Sequence, residues 1–305
     1  MGEIYRGNLG NQMFQIASTI GIAEKYGHHY FFPVWQYSKY FAYQFPVANK
    51  DESFKLIKEA KFNYYERDLC EGNYDLDGWL QNEKYFNKLK TKEIFKFKNE
   101  FVDELIQKHQ LLFSKKTILI SVRRGDFVNN PYFFQISFKY YLLAITKNFP
   151  GWQDRNLIFT SDDLAYCKYH FSFLKNAFFL ENLSAMEQMA LCSQFDDFVI
   201  SNSTFSWWLA WLGEKEGSKV IRPIKNFRGD YAKLNDDSDY YPDRWISFDE
   251  NSFKLERKYF MLKVKSSIYS LFVNSRYRYL KLKKMSKINV KMVLSFLHLR
   301  KNIES

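Results

Sequence analysis

Between residues 113 and 225 the chain alternates between short runs of strand-forming residues and segments whose apolar residues recur at helical spacing. Strands are expected at Thr117–Val122, Asn156–Thr160, Ala177–Leu180, Phe198–Ser201 and Lys219–Arg222. Helices are expected near Phe138–Asn148, Leu164–Phe171, Met186–Cys192 and Thr204–Gly213. Ser184-Ala185-Met186-Glu187 has the spacing of a capping box before one of them. This alternation leaves few options: it implies βαβ units and a parallel sheet, the build of a nucleotide-binding lobe. Ligands of such sheets bind outside the carboxyl ends of the strands, so the residues just after each strand matter most.

The first of these ends is Ile120-Ser121-Val122-Arg123-Arg124-Gly125-Asp126. Two adjacent guanidiniums after a buried strand are costly unless an anion meets them, and the planar arginine fork suits phosphate oxygens. Gly125 lets the chain turn closely. Arg123 and Arg124 therefore mark a phosphate site, or else a surface ion pair with Asp126. A second end, Phe159-Thr160-Ser161-Asp162-Asp163, carries two carboxylates, which suit a nucleotide ribose or base edge, or the cap of the next helix. A third, Ser201-Asn202-Ser203-Thr204-Phe205-Ser206-Trp207-Trp208, opens a helix with hydroxyls and free N–H groups, a ready phosphate site. Trp207, Trp208 and Trp211 read as core.

Near the N-terminus a short strand at Ile4-Tyr5 leads into Arg6-Gly7-Asn8-Leu9-Gly10-Asn11-Gln12 and a helix ending near Gly27. The glycine turn brings ligand close to backbone. Asn11 and Gln12 at its mouth either meet that ligand or cap the helix. Arg123/Arg124, Asp162 and Ser203/Thr204 then lie along one sheet edge, with the turn at Gly7–Gln12 facing them from another lobe. That arrangement fits a nucleoside diphosphate held without a metal. The aromatic stretch over residues 28–50 is either a sugar-stacking surface or core. Two D-x-D triplets, Asp75-Leu76-Asp77 and Asp237-Ser238-Asp239, have a pattern that holds metal in many nucleotide-sugar enzymes but also arises by chance.

Charge is concentrated at one end. Residues 251–305 carry 14 Lys/Arg against two acidic residues, leaving 31 against 32 for residues 1–250. A near-neutral body argues against nucleic-acid binding. In the tail, Tyr259, Phe260, Leu262, Val264, Ile268, Leu271 and Phe272 are interleaved with Lys258, Lys263 and Lys265, and further on with Arg276, Arg278 and Lys281. Over residues 255–290 this reads as an interfacial membrane binder, or as a helix folded back on the body. No run of about 18 apolar residues suggests a membrane span, and no signal peptide is evident. Cys70, Cys167 and Cys192 form no C-x-x-C and read as free thiols of a reducing cytoplasm.

Several segments in order, over roughly residues 4–248, resemble the bacterial α-1,2-fucosyltransferases of glycosyltransferase family 11. They are Gly7-Asn8-Leu9-Gly10-Asn11-Gln12-Met13-Phe14-Gln15, Gly78-Trp79-Leu80-Gln81-Asn82-Glu83-Lys84-Tyr85-Phe86, Val122-Arg123-Arg124-Gly125-Asp126, Ser161-Asp162-Asp163, Ser201 to Trp208, and Tyr241-Pro242-Asp243-Arg244-Trp245-Ile246.

The resemblance implies an α/β, GT-B-like fold with two Rossmann-type lobes around a cleft. An N-terminal acceptor-side lobe would span 1–112 and a GDP-binding lobe 113–250, followed by the basic amphipathic tail at 251–305. It also implies inverting transfer of fucose from GDP-fucose to the 2-hydroxyl of a galactoside, with no cofactor and no essential metal. Arg123 and Arg124 would grip the pyrophosphate. Ser203, Thr204 and Phe205 would bind phosphates and nucleoside, and Asp162 the guanosine end. Gly10 would lie at the donor, with Asn11 near the reacting centre. Asp126 would be the base, or else pair with an arginine to order the loop. The acceptor would be a galactose-containing surface glycan, lipid-linked and assembled at the inner membrane face. One departure stands out: the family's phosphate motif usually begins with histidine, and this chain has Ser121 there.

Overall fold

The computed structural model describes residues 5–48 and 53–273. The elements run in the order α1 (Leu9–Lys25), β1 (Lys55–Lys58), β2 (Tyr74–Asp77), α2 (Lys88–Ile94), α3 (Asn99–Lys108), β3 (Thr117–Val122), α4 (Phe138–Asn148), β4 (Asn156–Ser161), α5 (Leu164–Phe171), β5 (Ala177–Phe179), α6 (Ala185–Cys192), β6 (Asp197–Ile200), α7 (Thr204–Gly213), β7 (Val220–Pro223), α8 (Gly229–Leu234) and β8 (Ile246–Phe248). The protein is thus an α/β protein built on a parallel sheet, as its strand and helix alternation requires.

The main sheet has six strands in the order β5-β4-β3-β6-β7-β8, every neighbouring pair parallel. All six residues of β3 are buried, and so are all four of β6. This is why both read as continuous apolar runs rather than alternating ones. The chain builds outward from β3 to β5, then crosses back to lay β6 on the other side of β3. The reversal leaves a crevice at the carboxyl ends of β3 and β6. The N-terminal sheet is smaller: among the described residues it is the parallel pair β1 and β2.

The two sheets are joined by aromatic packing around α1 and α7. Phe14 of α1 lies 4.5 Å from the Trp207 ring and 5.0 Å from that of Trp208. Phe86 stacks on Trp208 at 5.8 Å. Each indole N–H in this core finds an acceptor, which removes the penalty of burying it. Trp207 donates to the Tyr240 carbonyl, Trp208 to the Gly10 carbonyl, Trp211 to Glu83 and Trp245 to Glu214.

Arg244 spans the charged part of this core. Its Nε is 3.0 Å from both Glu214 oxygens, and its Nη1 is 2.7 Å from Glu83. Lys88 adds a contact to Glu214 at 3.0 Å. The segments around Glu83, Glu214 and Arg244 are thereby fastened together.

The aromatic stretch over 28–48 is mostly core. Trp35 stacks on Phe41 at 5.4 Å and packs against Phe45 and Phe95. Chain contacts divide the protein into two units, Met1–Phe253 and Lys254–Ser305, and the division expected at 112/113 falls inside the first. In the second unit residues 260–273 are helical. The rest of the basic tail, and Ile4 of the expected first strand, lie outside the described residues. Among the described residues no helix is long and apolar enough to cross a membrane.

Candidate functional site

The crevice at the reversal point opens into a cleft of about 390 Å³. Its lining draws on the turn before α1, the segment after β2, the loop after β3, and the chain after β6 and β7. Asn11, Gly10, Arg123, Asp126, Ser203, Thr204 and Phe205 all reach it. Seven of the expected residues are therefore gathered from distant parts of the sequence, while Arg124 and Asp162 are not among those lining the cleft.

Two helix N-termini converge there. Gly10 is pressed so closely on α7 that a Cβ would come within 2.6 Å of the Thr204 backbone carbon. The first turns of α1 and α7 thus meet, each bringing backbone N–H groups and the positive end of its dipole. Ser203 caps α7 by accepting from the Phe205 N–H. The N-cap of α1 is Asn8, and it makes no side-chain cap bond. Asn11 is not a cap: its Oδ1 accepts from Gln81 Nε2 at 3.0 Å and from Thr204 Oγ1 at 2.9 Å. Gln12 is not among the lining residues; its amide accepts from the Trp35 indole and donates to the Gly7 carbonyl.

After β3 the two arginines part company. Arg124 turns toward α5, with Nε 3.0 Å from Asp163 and its guanidinium 3.8 Å above the Tyr166 ring. It is not among the lining residues. Arg123 lines the cleft beside Phe205, whose ring centre is 5.5 Å from its guanidinium carbon. Its one ion pair is a loose 3.5 Å contact with Asp162, and its buried Nε has no partner among the described residues. A guanidinium left this poorly neutralised is poised for an anion.

Asp162 is engaged with the loop itself. Its two oxygens accept the N–H groups of Arg124 and Gly125 at 2.9 and 3.0 Å. A Cβ on Gly125 would lie 2.6 Å from one of them, which is why the turn carries glycine. Asp163 caps α5 through the Tyr166 N–H. The expected pairing of Asp126 with an arginine is not formed: among the described residues the two arginines pair with Asp162 and Asp163, and Asp126 is exposed at the cleft.

Ser121 lies behind this surface. It is fully buried, and its hydroxyl is 2.7 Å from that of Ser206, which is 2.8 Å from that of Ser201. The position is not among those lining the cleft.

The D-x-D triplets serve the architecture. Asp237 accepts the N–H groups of Asn226 and Phe227, and Asp239 accepts that of Tyr64. Asp77 pairs with Arg6. Among the described residues no three His, Cys, Asp or Glu are grouped to hold a metal ion.

Several lining residues escaped the reading by motif. The lining also includes Phe62, Phe133, Phe227 and Tyr231, while Tyr37 is the member of the 28–48 stretch that reaches the cleft. Trp79 and Gln81 come from the segment 78–86, a candidate acceptor surface on the sequence reading. Gly78 is what lets it pass: a Cβ there would meet Glu59 at 2.5 Å. The Glu59 carboxylate accepts the N–H groups of Trp79 and Leu80, and burial raises its pKa above the ordinary carboxylate range. Leu80 sits at φ 51°, a left-handed backbone that a branched residue adopts only under constraint.

The chain is similar to several known proteins. The chain is 27% identical over 289 residues to an α-1,2-colitosyltransferase of Escherichia coli, covering 80% of this chain and 97% of that protein. It is 31% identical over 150 residues to the O-antigen biosynthesis glycosyltransferase WbnK of Escherichia coli, covering 47% of this chain and 48% of that one. Among solved structures, fucosyltransferase NodZ from Bradyrhizobium aligns with a TM-score of 0.46 and 14% identity, over 66% of this chain and 88% of that one. The family model for glycosyl transferase family 11 matches residues 4–249. Residues 4–249 being most of its length, the chain belongs to glycosyl transferase family 11.

Proposed function

We propose that the protein is an inverting α-1,2-glycosyltransferase that moves L-fucose from GDP-fucose to the 2-hydroxyl of a galactoside in a bacterial surface glycan. The observation that carries this reading is the under-neutralised Arg123 guanidinium beside the joined N-termini of α1 and α7. Together they offer a diphosphate one guanidinium and two sets of backbone donors.

In this mechanism Arg123 and the first turn of α7, from Ser203 to Phe205, hold the diphosphate and stabilise GDP as negative charge builds on it. Arg124 acts at second hand, holding the loop through Asp163. Asp162 fixes the Arg124–Gly125 turn at the edge of the nucleotide site. The acceptor hydroxyl attacks the anomeric carbon from the face opposite GDP. Its proton passes to Asp126, the carboxylate exposed at the cleft. The donor's charge is met by arginine and backbone, so no metal is required. The wall of Phe62, Trp79, Phe227 and Tyr231 supplies apolar surface for sugar rings.

The donor sugar is the finer point. The name of the colitosyltransferase relative favours a second reading, in which the same site takes another GDP-linked deoxysugar. The test is a screen of GDP-sugars against galactosides, read as GDP release and as product linkage. Transfer from GDP-fucose forming an α-1,2 bond to galactose is expected. Transfer only from another GDP-sugar would move the donor assignment, and a protein that binds GDP but transfers nothing would overturn the enzyme reading.

The helix at 260–273 supports attachment to the inner face of the cytoplasmic membrane. Phe260, Met261, Val264, Ile268, Leu271 and Phe272 are exposed along it. At 3.6 residues per turn they form one stripe, flanked on either side by Lys263 and Lys265. An apolar stripe edged with lysines suits the boundary between acyl chains and anionic headgroups. Deleting residues 255–305 should abolish pelleting with anionic vesicles. Unchanged pelleting would sink the attachment.

A further inference from the structure

The Asn11 amide is held at one end only. Its oxygen accepts two hydrogen bonds, from Gln81 Nε2 and Thr204 Oγ1, which is as many as a carbonyl oxygen takes. Its NH2 has no acceptor among the described residues, although Asn11 lines the cleft. Room for that NH2 is made by Gly7, at φ 69°, where a Cβ would come within 2.2 Å of Asn11 Nδ2. We propose that Gln81 and Thr204 are positioning residues that lock the Asn11 amide with its two N–H donors toward the ligand and its carbonyl away from it.

The locking residues are themselves held firmly. Gln81 is buried and follows the left-handed Leu80. The Leu80 carbonyl accepts from Ser18 Oγ at 2.8 Å, while Glu59 takes the N–H groups of Trp79 and Leu80. Thr204 is the first residue of α7 and packs on Gly10. The amide is thus gripped from two segments of the chain about 120 residues apart. Its chemical consequence rests on the cleft taking a sugar diphosphate. An NH2 beside that group adds a donor for the oxygen that gains charge as the bond to the sugar breaks. A carbonyl turned the same way would repel it.

The two orientations respond oppositely to Gln81→Glu. If Gln81 is the donor, an ionised carboxylate there faces the Asn11 oxygen, the amide rotates, and its carbonyl meets the ligand. Turnover of GDP-sugar should then fall by about 100-fold at neutral pH, the scale seen for loss of one transition-state donor. It should recover as pH falls and the introduced carboxyl regains a proton to donate. Gln81→Met frees the amide without inverting it, so its loss should be smaller and show no such pH dependence. Full activity of Gln81→Glu at neutral pH overturns the proposal. A neutron structure of the deuterated wild-type protein reads the orientation whether or not the protein turns over. Deuterons on the atom facing Gln81 overturn the proposal even if GDP binds. Deuterons facing the cleft, in a protein that neither binds GDP nor releases it from any donor, uphold the orientation and overturn the functional reading instead.

Discussion

Ser121 on β3 and Ser206 on α7 share a buried hydrogen bond of 2.7 Å between their hydroxyls. Ser206 is also 2.8 Å from Ser201 Oγ, so three hydroxyls tie the ends of β3 and β6 to the start of α7. The position where the family usually has histidine thus supports the start of α7 from beneath. Ser121→Ala should cost about 1 kcal/mol of stability in denaturant titration, the net worth of one hydrogen bond. Its GDP affinity by calorimetry should match wild type. A tenfold loss of affinity would mean that this position acts on the ligand.

The two arginines should behave differently. Arg123→Ala removes a charged donor at the cleft, worth about 1.5–3 kcal/mol and so roughly 10- to 150-fold in GDP affinity. Arg124→Ala removes the bond to Asp163 and the packing on Tyr166, so it should lower the melting temperature more than the affinity. Equal affinity losses in the two variants would refute the division of labour.

Asp126 is assigned to the acceptor proton. Asp126→Asn should lower kcat by about 10²- to 10⁴-fold, the usual weight of general base catalysis, and leave GDP affinity unchanged. A kcat within twofold of wild type would leave the reaction driven by the leaving group alone.

The Glu214–Arg244 pair makes an acid-stability prediction. Burial by itself raises the Glu214 pKa, but the bonds from Arg244, Trp245 and Lys88 outweigh it and the net shift is downward. A carboxylate whose folded pKa lies below its unfolded one stabilises the protein above the unfolded value, about 4.3. That stabilisation is lost as pH falls through the lower, folded value. Arg244→Ala should cost about 3 kcal/mol at neutral pH. This is the low end for a buried pair because Arg244 keeps 35% of its side chain exposed. The variant should also lose part of the wild type's steepness below about pH 4.3. Parallel acid curves for the two proteins would refute the linkage.

Chelation offers a separate check. EDTA should leave GDP release unchanged, whereas Asp237→Ala should lower thermal stability by exposing two unpaired N–H groups of the cleft wall. Abolition of turnover by EDTA would return the acidic triplets to consideration.

Much of the sheet-bearing half was legible because its local signals agree with one another. β3, α4, α5 and α7 have the bounds their patterns predict, and the Ser184–Glu187 capping box is formed on both sides. Strand β8 was missed because Ile246-Ser247-Phe248 is too short for a period to show. The 28–48 aromatics could be core or surface on composition alone; packing around Trp35 decides for core, apart from positions such as Tyr37. The parting of Arg123 from Arg124 was equally out of reach. It depends on Asp163 and Tyr166, some 40 residues along the chain, presenting a competing partner to one of them. Gln81 stood in a conspicuous segment, but its role needs the fold to bring Asn11 and Thr204 beside it.

The contact of Gly10 with the Thr204 backbone has a mechanical consequence. With no side chain between them, and with Trp208 donating to the Gly10 carbonyl, α1 and α7 are welded at their tips. Parting them would break that bond and open a void in close-packed core. The floor of the cleft is therefore rigid before any substrate arrives. Entry and release fall to the rim, where the loop bearing the exposed Asp126 lies outside that weld.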